Sequence, residues 1–133
     1  MRLKKMLLFF WFFTSTILFA QNCDLNNSNR TIAEAFANQA GNDLMSCCSE
    51  MGGKNMETEV YYGNDDTGKC KTYVNNGTLY YINMKVSWTG GLSGRKYWIK
   101  GILTYNILNS ERKWTYISDS KGFNPGCSKN CIE

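Results

Sequence analysis

From Tyr80 to Trp88 the chain alternates without a break: Tyr80, Ile82, Met84, Val86 and Trp88 are apolar, and Tyr81, Asn83, Lys85 and Ser87 lie between them. A period-two run of this kind is a strand with one buried face. It requires partner strands beside it and a cover over its apolar side. The loop Thr89-Gly90-Gly91-Leu92-Ser93-Gly94 leads into a second run, in which Tyr97, Ile99, Gly101, Leu103, Tyr105 and Ile107 share one side. A third strand, Lys113 to Ser118, follows the turn at Asn109-Ser110-Glu111.

Pairing Trp88 with Arg95 sets Val86 against Tyr97, Met84 against Ile99, Ile82 against Gly101 and Tyr80 against Leu103, so apolar positions meet along both strands. Pairing Ile107 with Arg112 sets Tyr105 against Trp114 and Leu103 against Tyr116. The expectation is an antiparallel meander. Gly101, in mid-strand on the core face, leaves room for a bend or a close helix approach. Two shorter strands, Glu57 to Tyr62 and Lys69 to Val74, are expected around the Asn64-Asp65-Asp66-Thr67-Gly68 turn.

The cover is supplied upstream. Thr31 and Glu34 match a capping box, and Ile32, Phe36, Ala40, Leu44 and Cys48 recur at helical spacing while Glu34, Asn38, Asn42 and Ser46 are polar. The spacing predicts one amphipathic helix over Thr31 to Cys48, ended by Gly52 and Gly53. The fold class is therefore α+β, with one N-terminal helix packed on a curved antiparallel meander of four to five strands. This order resembles the cystatin-like architecture. The resemblance implies no inhibitory residues, because the chain has no Gln-x-Val-x-Gly hairpin to carry them.

Six cysteines and no histidine constrain the chemistry. Arg2, Lys4 and Lys5 precede an apolar run from Met6 to Phe13 and a second apolar step to Ala20, the pattern of an export signal. Too few apolar residues follow Lys5 for a membrane span of ~20 residues, and Asn22 before Cys23 does not suit lipid attachment. Residues 1–20 are read as a cleaved signal and 21–133 as a single secreted or periplasmic domain with no stable membrane anchor. Cleavage also removes three of fifteen basic residues, which leaves twelve against eleven acidic. A chain so close to neutral gives no reason to expect nucleic acid as a partner.

Cys23, Cys47, Cys48, Cys70, Cys127 and Cys131 all remain, an even set in an exported chain, and are expected to form disulfides. Fifteen connectivities exist, or twelve without a bond between neighbours Cys47 and Cys48. Zinc knuckles are absent from the spacing. Redox catalysis would want C-x-x-C at a helix N-terminus, whereas Cys47 and Cys48 fall at a helix C-terminus. No metal or cofactor is expected. Asp65-Asp66 reads as solvated turn charge, since a calcium loop would alternate its ligands. Without histidine, and without a Ser/His/Asp set or a phosphate-cradling loop, catalysis is disfavoured.

The opposite face of the expected sheet is the candidate binding surface. There Tyr81, Ile102 and Ile117 are expected to line up across three strands, next to Trp98, which is expected opposite Lys85 and between Lys96 and Lys100. Lysine stems sheltering Trp98 would make cation–π contacts worth ~0.5–1 kcal/mol each. The sequence thus points to a small noncatalytic binding protein, inhibitor-like in scale, with a protein or carbohydrate partner held by this face or by the Gly90 to Gly94 loop. Its rivals are a thiol-dependent redox protein and a structural component self-associating through the Tyr81, Ile102, Ile117 row.

Overall fold

The computed structural model describes residues 22–48 and 52–121, with side chains in the last strand as far as Thr115. The expected signal at 1–20, Cys127 and Cys131 lie outside the described residues. The elements are α1 (Asn27–Cys48), β1 (Lys54–Val60), β2 (Tyr73–Asn75), β3 (Leu79–Thr89), β4 (Lys96–Asn106) and β5 (Glu111–Lys121). One helix packs on an open antiparallel sheet of five strands in the order β1-β3-β4-β5, with β2 also paired to β3.

The helix starts a turn earlier than the capping-box reading. Asn26 is its N-cap: the Asn26 Oδ1 accepts the Asn29 amide at 2.8 Å. Asn ranks among the strongest caps, so the chain enters the helix before reaching Thr31. Thr31 is then an interior residue whose hydroxyl donates to the Asn27 carbonyl at 2.8 Å, and Glu34 turns outward to Arg30 and the Tyr62 hydroxyl.

The buried stripe is Ala33, Ala37, Ala40, Gly41, Leu44 and Cys48, with Ile32 and Phe36 only partly buried beside it. Small side chains let the helix axis come close to β1 and β3. A Cβ at Gly41 would stand 2.7 Å from Thr58 Cγ2 and 2.8 Å from Met56 Sδ. Thr58 also hydrogen-bonds Asn38 across this contact. Phe36, displaced to the flank of the stripe, stacks on Tyr105 at 3.8 Å and meets Tyr80 edge-on at 5.5 Å, and Asp43 pairs with Arg112 of β5. The helix is thus fixed at both sides of its footprint.

β3 alternates as expected, and Tyr80, Ile82, Met84, Val86 and Trp88 are all 1% exposed or less. The strand pairing differs from the expected register by two residues. Trp88 lies opposite Tyr97, Val86 opposite Ile99, Met84 opposite Gly101, Ile82 opposite Leu103 and Tyr80 opposite Tyr105. Arg95 belongs to the loop, where its carbonyl accepts the Gly90 amide at 2.8 Å and Gly94 takes a φ of +64°. The β4–β5 pairing shifts by two as well: Leu103 faces Trp114 and Tyr105 faces Arg112, while Ile107 lies exposed in the turn. An even slip preserves the faces of every residue, which is why the core survives the changed partners.

The first two expected strands are redrawn more heavily. β1 begins at Lys54 and ends at Val60, and the strand expected from Lys69 shrinks to Tyr73–Asn75, with Cys70 only bridged to Asn64. Both β1 and β2 lie on the same edge of β3, interrupted by the excursion 61–72. Thr72 closes the gap. Its buried hydroxyl donates to the Tyr61 carbonyl at 2.7 Å and accepts the Asn83 amide at 3.1 Å, and the Tyr61 amide donates to the Asn83 carbonyl. The Cys23–Cys70 disulfide, with a sequence separation of 47, ties this excursion to the segment ahead of α1. A loop of that length gives a bridge worth ~2–4 kcal/mol.

Gly101 borders the irregularity in the β4–β5 pairing between Ile99 and Gly101, in keeping with the expected bend, but it does not serve a close helix approach. The bulky neighbour is the Trp114 ring from β5, not the helix: a Cβ at Gly101 would lie 2.5 Å from Trp114 Cζ2 and 2.7 Å from the Thr115 carbonyl oxygen. Since a backbone atom blocks the space, Gly101→Ala is expected to destabilise the fold by about 2 kcal/mol, read as a lower urea midpoint with an unchanged m-value.

Candidate functional site

Because α1 covers one face of the sheet, the alternating residues of β3 and β4 that point away from it form a second surface. Its middle rows follow from the register: Ser87 beside Trp98, Lys85 beside Lys100, Asn83 beside Ile102, and Tyr81 beside Thr104. β1 adds Glu57 next to Ser87 and Glu59 next to Lys85, β2 adds Tyr73 next to Tyr81, and β5 adds Thr115 next to Ile102 and Lys113 next to Thr104.

The two-residue slip reshapes the expected cluster. Trp98 lies opposite Ser87 instead of Lys85, but Lys85 is one row away and its Nζ reaches to 5.3 Å from the ring centroid, with Lys100 Nζ at 5.6 Å. Two ammonium groups therefore share one indole. Lys100 also lies 5.6 Å from the Tyr61 ring. Lys96 is exposed at the start of β4, on the same side as Trp98.

The apolar row does not form as expected. Tyr81 faces Thr104, Ile102 sits between Asn83 and Thr115, and the backbone of Ile117 lies past the Gly101–Tyr116 pair. Tyr81, Ile102 and Ile117 thus occupy separate rows. Tyr73 instead stacks on Tyr81 at 4.5 Å.

Tyr61, Lys69, Lys71 and Tyr73 were not singled out by pattern because they reach the surface through the 61–72 excursion and the short β2. Their only sequence signal is a Tyr- and Lys-rich turn segment. Lys69, Lys71, Tyr73 and Asp65 border a cleft of about 210 Å³ whose floor is Tyr81, Asn83 and Ile102. A second cleft of about 310 Å³, lined by Asn55, Glu57, Ser87, Thr89 and Lys96 among others, lies past Trp98 at the opposite end of the face. The indole and its two lysines stand between the clefts.

The phenols of Tyr61 and Tyr73 remain protonated. Burial first, then the charge of Glu59 and a hydrogen bond to it, push Tyr61 above its ordinary value of 10.0. Burial and the neighbouring Tyr81 push Tyr73 up as well. Both hydroxyls are donors at neutral pH. Among the described residues no group of three or more His, Cys, Asp or Glu side chains converges as a metal site would require, and no described cysteine is a free thiol, Cys47 and Cys48 included. No helix of the described residues is long and apolar enough to cross a membrane.

Comparison with known proteins gives no assignment: no family model, curated protein or solved structure matches the chain.

Asp65 organises the loop that carries Lys69 and Lys71. Its Oδ1 accepts the Thr67 hydroxyl at 2.6 Å, the Thr67 amide at 2.8 Å and the Lys69 amide at 3.0 Å. The Thr67 hydroxyl foremost, with the Lys69 and Thr67 amides and the Lys69 charge, holds this carboxyl below its ordinary 3.8 against an opposing desolvation that is second in size only to the hydroxyl's effect. A depressed folded value means that the carboxylate's contribution is complete above 3.8 and is lost as pH falls through the lower value. The Thr67 and Lys69 amide resonances are accordingly expected to hold their positions down to 3.8 and to move only in stronger acid. Asp65→Asn is expected to move them already at neutral pH.

Proposed function

We propose that the chain is a small exported, noncatalytic binding protein, built on a cystatin-like arrangement and inhibitor-like in scale, that engages its ligand through the sheet face centred on Trp98. One observation carries this reading: an indole on the face away from the helix has the ammonium groups of Lys85 and Lys100 at 5.3 and 5.6 Å from its ring centroid, on a surface that carries Tyr61, Tyr73 and Tyr81 as well. Aromatic rings and cations so placed have little to offer the core, which is complete on the other side. They have much to offer a ligand that combines flat or hydroxylated surface with negative charge.

Export is supported by the Cys23–Cys70 bond, which needs an oxidising compartment to persist, together with the signal-like pattern of residues 1–20. The thiol-dependent alternative loses support because the described cysteines are all bonded. Self-association through an apolar row loses support because Tyr81, Ile102 and Ile117 do not share a row. The order of one helix followed by the antiparallel strands is the support for the cystatin-like label.

The test is retention of material exported by the native cells on immobilised protein. Wild-type chain is expected to retain partners that Trp98→Ala and Lys100→Ala both release, with each variant shown to be folded by its far-ultraviolet circular dichroism. Equal retention by all three removes this face as the site.

A further inference from the structure

The open face is more basic than the chain. Lys69, Lys71, Lys85, Lys96, Lys100 and Lys113 all border it, although the mature chain is expected to be near neutral. Its acidic residues lie at the margins: Glu57 and Glu59 on the β1 edge, Glu111 at the start of β5, and Asp65, whose carboxylate is occupied within its own turn. Lys85 and Lys100 are direct cross-strand partners, a like-charge arrangement that costs stability in a sheet and that Glu59, next to Lys85 on β1, offsets in part. The shared contact with Trp98 offsets part of that cost. The cations follow β4 as a band, from Lys96 past Lys100 to the cleft over Ile102 where Lys69 and Lys71 stand. Six residues of strand make this band about 20 Å long.

We propose that this band binds a linear acidic polysaccharide, a glycan chain carrying carboxylate or sulfate groups; the inference rests on the reading of the open face as a ligand site. Between the lysines the face presents Asn83, Ser87, Thr89, Thr104 and Thr115, hydroxyl and amide groups that both donate and accept hydrogen bonds. That mixture matches a polymer bearing hydroxyls and charges in alternation. A protein hot spot would place a desolvated aromatic or aliphatic anchor at the centre of the patch, and here the central aromatic is flanked by ammonium groups. A single-stranded nucleic acid would use open ring faces for stacking and arginine for its phosphates. The Trp98 ring is already attended by two lysines, and the described arginines lie elsewhere: Arg30 and Arg112 pair on the helix side, and Arg95 is in the β3–β4 loop. A membrane surface would select protruding apolar side chains, and the aliphatic side chains among the paired residues of this face are Leu79 and Ile102, both half-buried.

The two clefts give the chain its track. Each joins lysine to hydroxyl or amide groups, Lys69 and Lys71 with Asn83 at one end and Lys96 with Ser87 and Thr89 at the other. The ridge of Lys85, Trp98 and Lys100 lies between them, so one extended polymer touches both clefts and the ridge.

The experiment is calorimetric titration of the disulfide-bonded mature protein with polygalacturonate and with heparin, using dextran as the neutral control. Binding to at least one polyanion and not to dextran is expected, weakening steeply as ionic strength rises. Lys85→Gln with Lys100→Gln keeps a polar side chain at each position and removes both charges; the pair is expected to weaken binding by about tenfold or more, whereas Arg30→Ala on the helix leaves it unchanged. If the first pair fails to fold, Lys69→Gln with Lys96→Gln tests the two ends of the band and is expected to act in the same direction. No binding to either polyanion, or binding indifferent to the folded variants, overturns the proposal. So does tighter binding to oligo-dT or to phosphatidylserine vesicles than to both glycans. Retention of exported partners that still depends on Trp98, combined with no glycan binding, would overturn the glycan and leave the binding face standing.

Discussion

The apolar side of β3 sets the terms for the rest of the molecule. Five large side chains in a row, Tyr80 to Trp88, are withdrawn from water almost completely, each worth ~1.5–3 kcal/mol when buried. A single helix has to cover them, and it does so by being thin. Ala33, Ala37, Ala40 and Gly41 face the sheet, so the bulk in the interface comes from the strands and the helix contributes closeness. A helix that presented Ile32 and Phe36 squarely would stand farther off and expose the strand beneath it. Those two residues instead lie at the flank, where Phe36 seals the contact with Tyr80 and Tyr105.

This division of labour explains how much could be read from the amino-acid order. Alternation along β3 and β4 identified the buried face residue by residue, because period two has only two phases. The same periodicity is blind to slips of two, so the partners of Trp88 and Tyr105 were set by the turns and not by the strands. Gly90, whose added Cβ would stand 2.7 Å from the Tyr97 ring, and the Gly90–Arg95 hydrogen bond decide where β4 begins. The helix start was ambiguous for a similar reason: Asn26 and Thr31 are both good caps, and the cap met first in the chain prevails when nothing downstream forbids the added turn. Hydrophobicity also misplaced the helix face by favouring large residues where the sheet requires small ones.

The candidate site was half legible. Trp98, Lys85 and Lys100 could be assigned to one side of the sheet from alternation, and their mutual approach survives the slip because lysine is long enough to reach a neighbouring row. Ile102 and Ile117 fall in different rows, because their pairing depended on the register, which alternation does not fix. Tyr61, Lys69, Lys71 and Tyr73 were invisible to pattern: they reach the face through a closed excursion held by Thr72, Asp65 and Cys70. No local periodicity announces a loop that is folded by contacts with another strand.

The aromatic core carries a polar cost that the opposite face does not. Tyr80 and Tyr97 find partners for their hydroxyls in Asn29 and Ser93, while the indole N–H groups of Trp88 and Trp114 are buried with no hydrogen-bond partner among the described residues. Each such group costs about 1–3 kcal/mol, and ordering the 61–72 excursion adds an entropic cost to folding. The Cys23–Cys70 bond removes that burden by restricting the unfolded chain, and Asp65 fixes the turn locally. Lys69 and Lys71 are then held beside the cleft before any ligand arrives. A ligand that meets cations already in place loses less affinity to side-chain and loop ordering. The Cys23–Cys70 bond therefore acts on the face as well as on the fold: it positions charge at one end of the β4 band, while Trp98 positions it at the centre.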